Sequence, residues 1–123
     1  MAAASARTLK FSRPMRLKQG RDFSRVRREG KRHVSGCVIA NWQAMAPGVA
    51  PRLGVVTSGK IGNAVVRNRA RRLLREVFRL HQHNLATPVD LVLIARPSIA
   101  GKAFADVERD VLSTLSRSGL LKK

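Results

Sequence analysis

Between Asn63 and His83 the sequence reads NAVVRNRARRLLREVFRLHQH, and this pattern leaves the chain few ways to fold. Advancing about 100° per residue puts Val66, Ala70, Leu73, Val77 and Leu80 on one face, with Leu74 at its edge. Arg67, Arg71, Arg75, Arg79 and Arg72 fall opposite, within an arc of roughly 140°, with Asn68 among them. Asn63 suits an N-cap, so the spacing predicts one long helix over 63–83. Two residues depart from the division: Arg69 lies beside the apolar stripe, and Phe78 lies among the arginines. Such a helix must bury its dry side against another layer.

That layer is legible as strands. HVSGCVIANWQ (33–43) alternates and is predicted as one strand, with Val38, Ala40 and Trp42 on one face and Cys37, Ile39 and Asn41 on the other. RLGVVTS (52–58) is a second, and the turn-forming AMAPGVAP between them favours an antiparallel hairpin. TPVDLVLIARP (87–97) carries the continuous apolar run of a central strand. GRDFSRVRREG (20–30) reads as a short helix with Phe23 and Val26 on one face and a stop at Gly30. A last helix over KAFADVERDVLSTLSRSG stops at Gly119. The order α-β-β-α-β-α implies an α+β two-layer sandwich, a small sheet packed against helices. Residues 1–15 read as a basic arm, 16–119 as a single domain and 120–123 as a basic tail.

Charge narrows the function. Lys and Arg number 25 against 7 Asp and Glu, a formal net charge of +18, while 44% of residues are hydrophobic. A folded chain with that much self-repulsion calls for a polyanionic partner, and nucleic acid suits because each neutralised phosphate releases counterions. On the long helix, like-charge i, i+4 pairs (Arg67–Arg71, Arg71–Arg75, Arg75–Arg79) each cost roughly 0.2–0.5 kcal/mol. Glu76, the helix's one acid, offsets part of this through Arg72 and Arg79. A purely structural helix would alternate signs, so the arginine face reads as a polyanion-binding surface, and guanidinium forks suit phosphate oxygens. Eleven further Lys or Arg lie within 7–32, with Phe11, Phe23 and Trp42 as flat surfaces for unpaired bases. A membrane partner is disfavoured, since no apolar run approaches roughly 20 residues and the helix needs its dry face for packing. The lone Cys37 points to a core position and a reducing compartment, hence the cytoplasm.

Catalytic machinery is not readable. GVVTSGKI imitates a phosphate-binding loop, but Ile61 stands where a hydroxyl should reach magnesium. Lys60 and the backbone N–H groups of SGKIGN can still meet phosphate at the helix start. His33, His81 and His83 make no metal site and read as solvated surface residues. Asp22, Glu29 and Glu76 lie among arginines and read as ion-paired, while Asp106, Glu108 and Asp110 read as the outer part of the last helix. No nucleophile is paired with a base.

The blocks RDFSRVRREG, RLGVVTSGKIGNAVVRNRARRLLREVFR and DLVLIARP, in that order over roughly residues 16–118, closely resemble the bacterial ribonuclease P protein subunit. The resemblance implies a fold with one extra short early strand, α-β-β-β-α-β-α, and a left-handed crossover through the arginine helix. It implies a protein that binds a catalytic RNA subunit, whose magnesium ions serve cleavage of the 5′ leader from precursor tRNA, with no catalytic residue of its own and no protein partner required. Arg67, Asn68, Arg69, Arg71, Arg72 and Arg75, with Lys60, would contact RNA, and Asn68 would help hold a metal ion. Phe23, Lys18 and Trp42 would line a cleft for the single-stranded leader. Arg27 stands where many members carry a second aromatic, Gly59 replaces a common lysine, and Arg71 replaces a lysine with its charge kept. The rival is a ribosomal or other structural RNA-binding protein with no role in cleavage.

Overall fold

The computed structural model describes residues 15–122, so most of the predicted arm, Phe11 included, lies outside the described residues. The elements run α1 (Gly20–Glu29), β1 (Lys31–Ser35), β2 (Val38–Ala44), β3 (Arg52–Val56), α2 (Ala64–His81), β4 (Val89–Ala95) and α3 (Phe104–Arg117). The α+β class holds, with the four strands that the resemblance implied. The segment 33–43, predicted as one strand, is two: Gly36, at φ 54°, turns the chain between β1 and β2. A Cβ at Gly36 would overlap the Asp110 carboxylate, which accepts a hydrogen bond from the Cys37 backbone N–H at 3.0 Å. The turn is thereby tied to α3.

The strands lie in the order β1-β2-β4-β3. The expected hairpin between the second and third strands does not form. Instead β4 lies between them, antiparallel to β2 and parallel to β3. The reason is burial: β4 hides six of its seven residues, so it needs neighbours on both edges and layers on both faces.

Helices α2 and α3 cover the face carrying Val38, Ala40, Leu91 and Leu93, and α1 crosses the opposite face on Leu17, Val26 and Val92. The buried residues of α2 are Ala70, Leu74, Val77 and Phe78, a stripe turned by about 60° from the one drawn from the sequence. Phe78 is 4% exposed in the core, not among solvated arginines. Asn63 caps the helix as predicted, its side chain accepting from the Val66 N–H at 3.1 Å. Residues 120–122 are also knitted in: Leu120 is 2% exposed, and the backbone N–H groups of Ala86 and Lys122 donate to the Leu120 and Asn84 carbonyls.

Gly54 lets α1 approach β3, because a Cβ there would fall 2.5 Å from the Phe23 ring. Gly54→Ala should cost roughly 1–3 kcal/mol through overpacking. The check is a lower denaturant midpoint at an unchanged slope.

Candidate nucleic-acid interface

The rotation of α2 sets what its arginines can do. With Phe78 and Leu74 drawn into the core, Arg71 and Arg75 sit half-buried at the rim, and Arg72 stands exposed. They line an open groove of about 500 Å³ with Arg16, Asn68 and Arg79. Glu76 is the one acid lining it, and Arg79 occupies both its oxygens, at 2.9 and 2.7 Å. Asn68 accepts from the Arg71 guanidinium at 2.9 Å. Burial, then the neighbouring guanidiniums of Arg16 and Arg71, push the pKa of Arg75 below its ordinary value. Arginine stays charged under such a shift, so the groove, with five arginines to one glutamate, carries net positive charge. No carboxylate among the described residues forms an ion pair with Arg71, Arg72 or Arg75.

The other predicted contacts divide. Arg67 donates to the Gly62 carbonyl at 2.8 Å and Arg69 to the Lys102 carbonyl at 2.7 Å, so both fasten the start of α2 to adjoining loops. Lys60 is exposed on the loop before the helix, where its backbone N–H donates to the Ser58 hydroxyl at 3.3 Å. Gly54 lies inside β3, which removes the apparent phosphate-binding loop. Asn68 has cations around it and no free acid, and the described residues contain no group of three or more His, Cys, Asp or Glu able to hold a metal. The chain alone does not fit a divalent ion there.

A second groove of about 190 Å³ adjoins the first, lined by Arg16, Lys18, Phe23, Leu53, Val55 and Arg75. Arg16 and Arg75 line both, so the cationic surface continues to α1. Beyond Phe23, strand register places Val34, Ile39, Ile94 and Val56 side by side across all four strands on the α1 face. Val34 is 41% exposed and the other three are half-buried. Phe23 and Arg27, four residues apart, share one side of α1. An apolar floor beside a basic wall results.

Trp42 is not part of it. It pairs with Leu91 and packs on the α2–α3 side of the sheet, with Lys31 Nζ 5.8 Å from its ring centre. The structure brings Lys18 and Phe23 together and leaves Trp42 on the far face, because strand side chains alternate.

Two expectations about charged residues also change. His81 is not a solvated surface residue: it bonds Glu108 across α2 and α3 at 2.7 Å. Asp110 is 8% exposed and serves the β1–β2 turn. The expected ion pairing of Asp22 and Glu29 is present, with Arg25 at 3.5 Å and Arg28 at 3.4 Å as the partners.

Against known proteins, residues 11–119 match the family model described as Ribonuclease P. The chain belongs to the ribonuclease P protein family. The ribonuclease P protein component of Dictyoglomus turgidum is 34% identical over 116 residues, covering 92% of this chain and 96% of its own. The Staphylococcus aureus RNase P protein superposes with a TM-score of 0.79 at 25% identity, over 88% of this chain and 98% of that one. The Thermotoga maritima RNase P protein gives 0.73 at 30% identity, over 83% and 96%.

For this member of the ribonuclease P family, sequence reasoning missed Arg16 and the apolar row. The row was present as strand alternation, but only the pairing register puts its members side by side. Arg16 joins the site because Leu17 N–H donates to the Leu53 carbonyl at 2.9 Å, laying the segment along β3.

Proposed function

We propose that this chain docks on the catalytic RNA of ribonuclease P through the groove of Arg71, Arg72 and Arg75, and receives the 5′ leader of precursor tRNA in the cleft beneath α1. The observation that carries this is the continuity of the two grooves through Arg16 and Arg75: the basic surface runs on to Phe23, which packs at the margin of the apolar floor with Val56 and Ile94. The groove holds RNA as a polyanion, by forked hydrogen bonds and counterion release. The cleft suits a single strand, whose bases can be splayed onto apolar and aromatic surface while its phosphates meet Lys18 and Arg27. Hydrolysis falls to the RNA and its magnesium ions. Any ion near Asn68 takes its remaining ligands from RNA. A cytoplasmic ribonucleoprotein follows.

The test is a precursor tRNA assay with and without the catalytic RNA. Protein alone should leave the precursor intact. Added to the RNA, it should tighten binding of precursor more than of mature tRNA, and Phe23→Ala should erase most of that difference. Equal tightening of both would refute the leader assignment and favour a structural RNA-binding protein.

A further inference from the structure

The α1 helix is mostly polar, and its grip on the sheet is small. Val26 is its one fully buried residue, and the cluster beneath it comprises Leu17, Val26 and Val92 with Phe23, Val56 and Ile94 at the margin. So few apolar contacts do little to fix where along the sheet a helix lies. A polar clamp does so instead. Asp90, on central strand β4, is 0% exposed and accepts from Arg52 Nε at 2.9 Å and from an Arg52 terminal nitrogen at 2.7 Å. Arg25 of α1 reaches the same carboxylate at 2.6 Å and donates to the Gln43 side-chain carbonyl at 3.1 Å. The helix is therefore tied to β2 and β4 at one point, and through Asp90 to β3.

The register places this clamp away from the cleft. Gln43, Asp90 and Arg52 form one row across β2, β4 and β3, and Ile39, Ile94 and Val56 form another four residues along on the same face. A buried ion pair is poor as a source of stability, since well-packed apolar residues do as well, and what it does provide is a fixed geometry. We infer that Arg25, held by Asp90 and Gln43, is a positioning residue: it anchors α1 at one end of the sheet and so leaves the Val34–Ile39–Ile94–Val56 row only partly covered, open to the leader. This rests on the leader reading of the cleft. Arg25 touches no RNA in this role, and acts through the placement of Phe23 and Arg27.

Arg25→Gln is the informative variant, because Asp90 keeps both Arg52 hydrogen bonds and Arg25 itself is 26% exposed. Holoenzyme reconstituted with the catalytic RNA is assayed for affinity to precursor and to mature tRNA. The expected result is a roughly five- to tenfold loss in the precursor-over-mature ratio, about 1–1.4 kcal/mol of leader binding. Affinity for the catalytic RNA and its salt dependence should not change. Arg25→Lys, which keeps a cation beside Asp90, should recover part of the ratio. A merely structural role would weaken both tRNAs alike in proportion to unfolded protein. Wild type that discriminates, with a folded Arg25→Gln protein that discriminates as well, overturns this inference and leaves the leader reading standing. Wild type that does not discriminate overturns both.

Discussion

Replacing Arg71, Arg72 and Arg75 together by Gln should reduce affinity for the catalytic RNA by roughly a hundred- to a thousandfold at about 0.1 M salt. The figure follows from counterion release. Each lost phosphate contact removes about 0.7–0.9 from the slope of log affinity against log salt, so three remove about 2–3. Measured from about 1 M salt, where the effect vanishes, to about 0.1 M, that is two to three decades. The three side chains converge on one groove and no carboxylate among the described residues pairs with them, so their charge is directed outward. Folding should be little affected, and relief of the Arg71–Arg75 repulsion works slightly in its favour. Binding titrations across salt concentrations read the result. A variant with unchanged slope would remove this face from the RNA interface. Arg67→Gln should act on the protein as well, since that guanidinium also donates to the Gly62 carbonyl.

Asp90→Asn should destabilise the fold by about 3 kcal/mol, the low end for breaking a buried ion pair. The low end applies because Arg52 and Arg25 remain 31% and 26% exposed and can rehydrate once the carboxylate is gone. For a domain this size the loss corresponds to a melting temperature lower by roughly 12 °C. Burial acts to raise the Asp90 pKa, but hydrogen bonds from Arg52 and Arg25 outweigh it and hold the carboxyl below its ordinary value. A group whose folded pKa is depressed contributes stability that is fully present above its unfolded pKa, about 3.9, and lost as pH falls through the folded value. Wild type should therefore lose stability on acidification below about pH 4, and Asp90→Asn should show a flatter acid limb. Thermal melts from pH 7 to pH 2.5 measure both. Equal melting temperatures for the two proteins at pH 7 would show that the triad contributes nothing.

The division between what was legible and what was not follows interaction range. The α2 helix, its Asn63 cap, its two-faced character and the central apolar strand rest on contacts within a few residues, and the structure has them all. Phe78 shows the limit. Its place at the edge of the arginine arc follows from helical geometry, but whether it turns inward depends on which side of α2 the sheet offers to fill. The same rotation draws Arg71 and Arg75 to the rim of a groove and leaves Arg67 and Arg69 to loop carbonyls. Spacing along one helix cannot distinguish those fates.

By itself the sequence determined a basic α+β domain with one long helix, apolar on one side and cationic on the other, because periodicity and charge are local properties of a chain. Only the tertiary structure decided that β4 lies between β2 and β3, that Trp42 and Phe23 are on opposite faces, and that Asp90 gathers Arg25 and Arg52 from 65 and 38 residues away. Those outcomes depend on strand register and layer order, which are set by how all the elements bury their apolar surface at once.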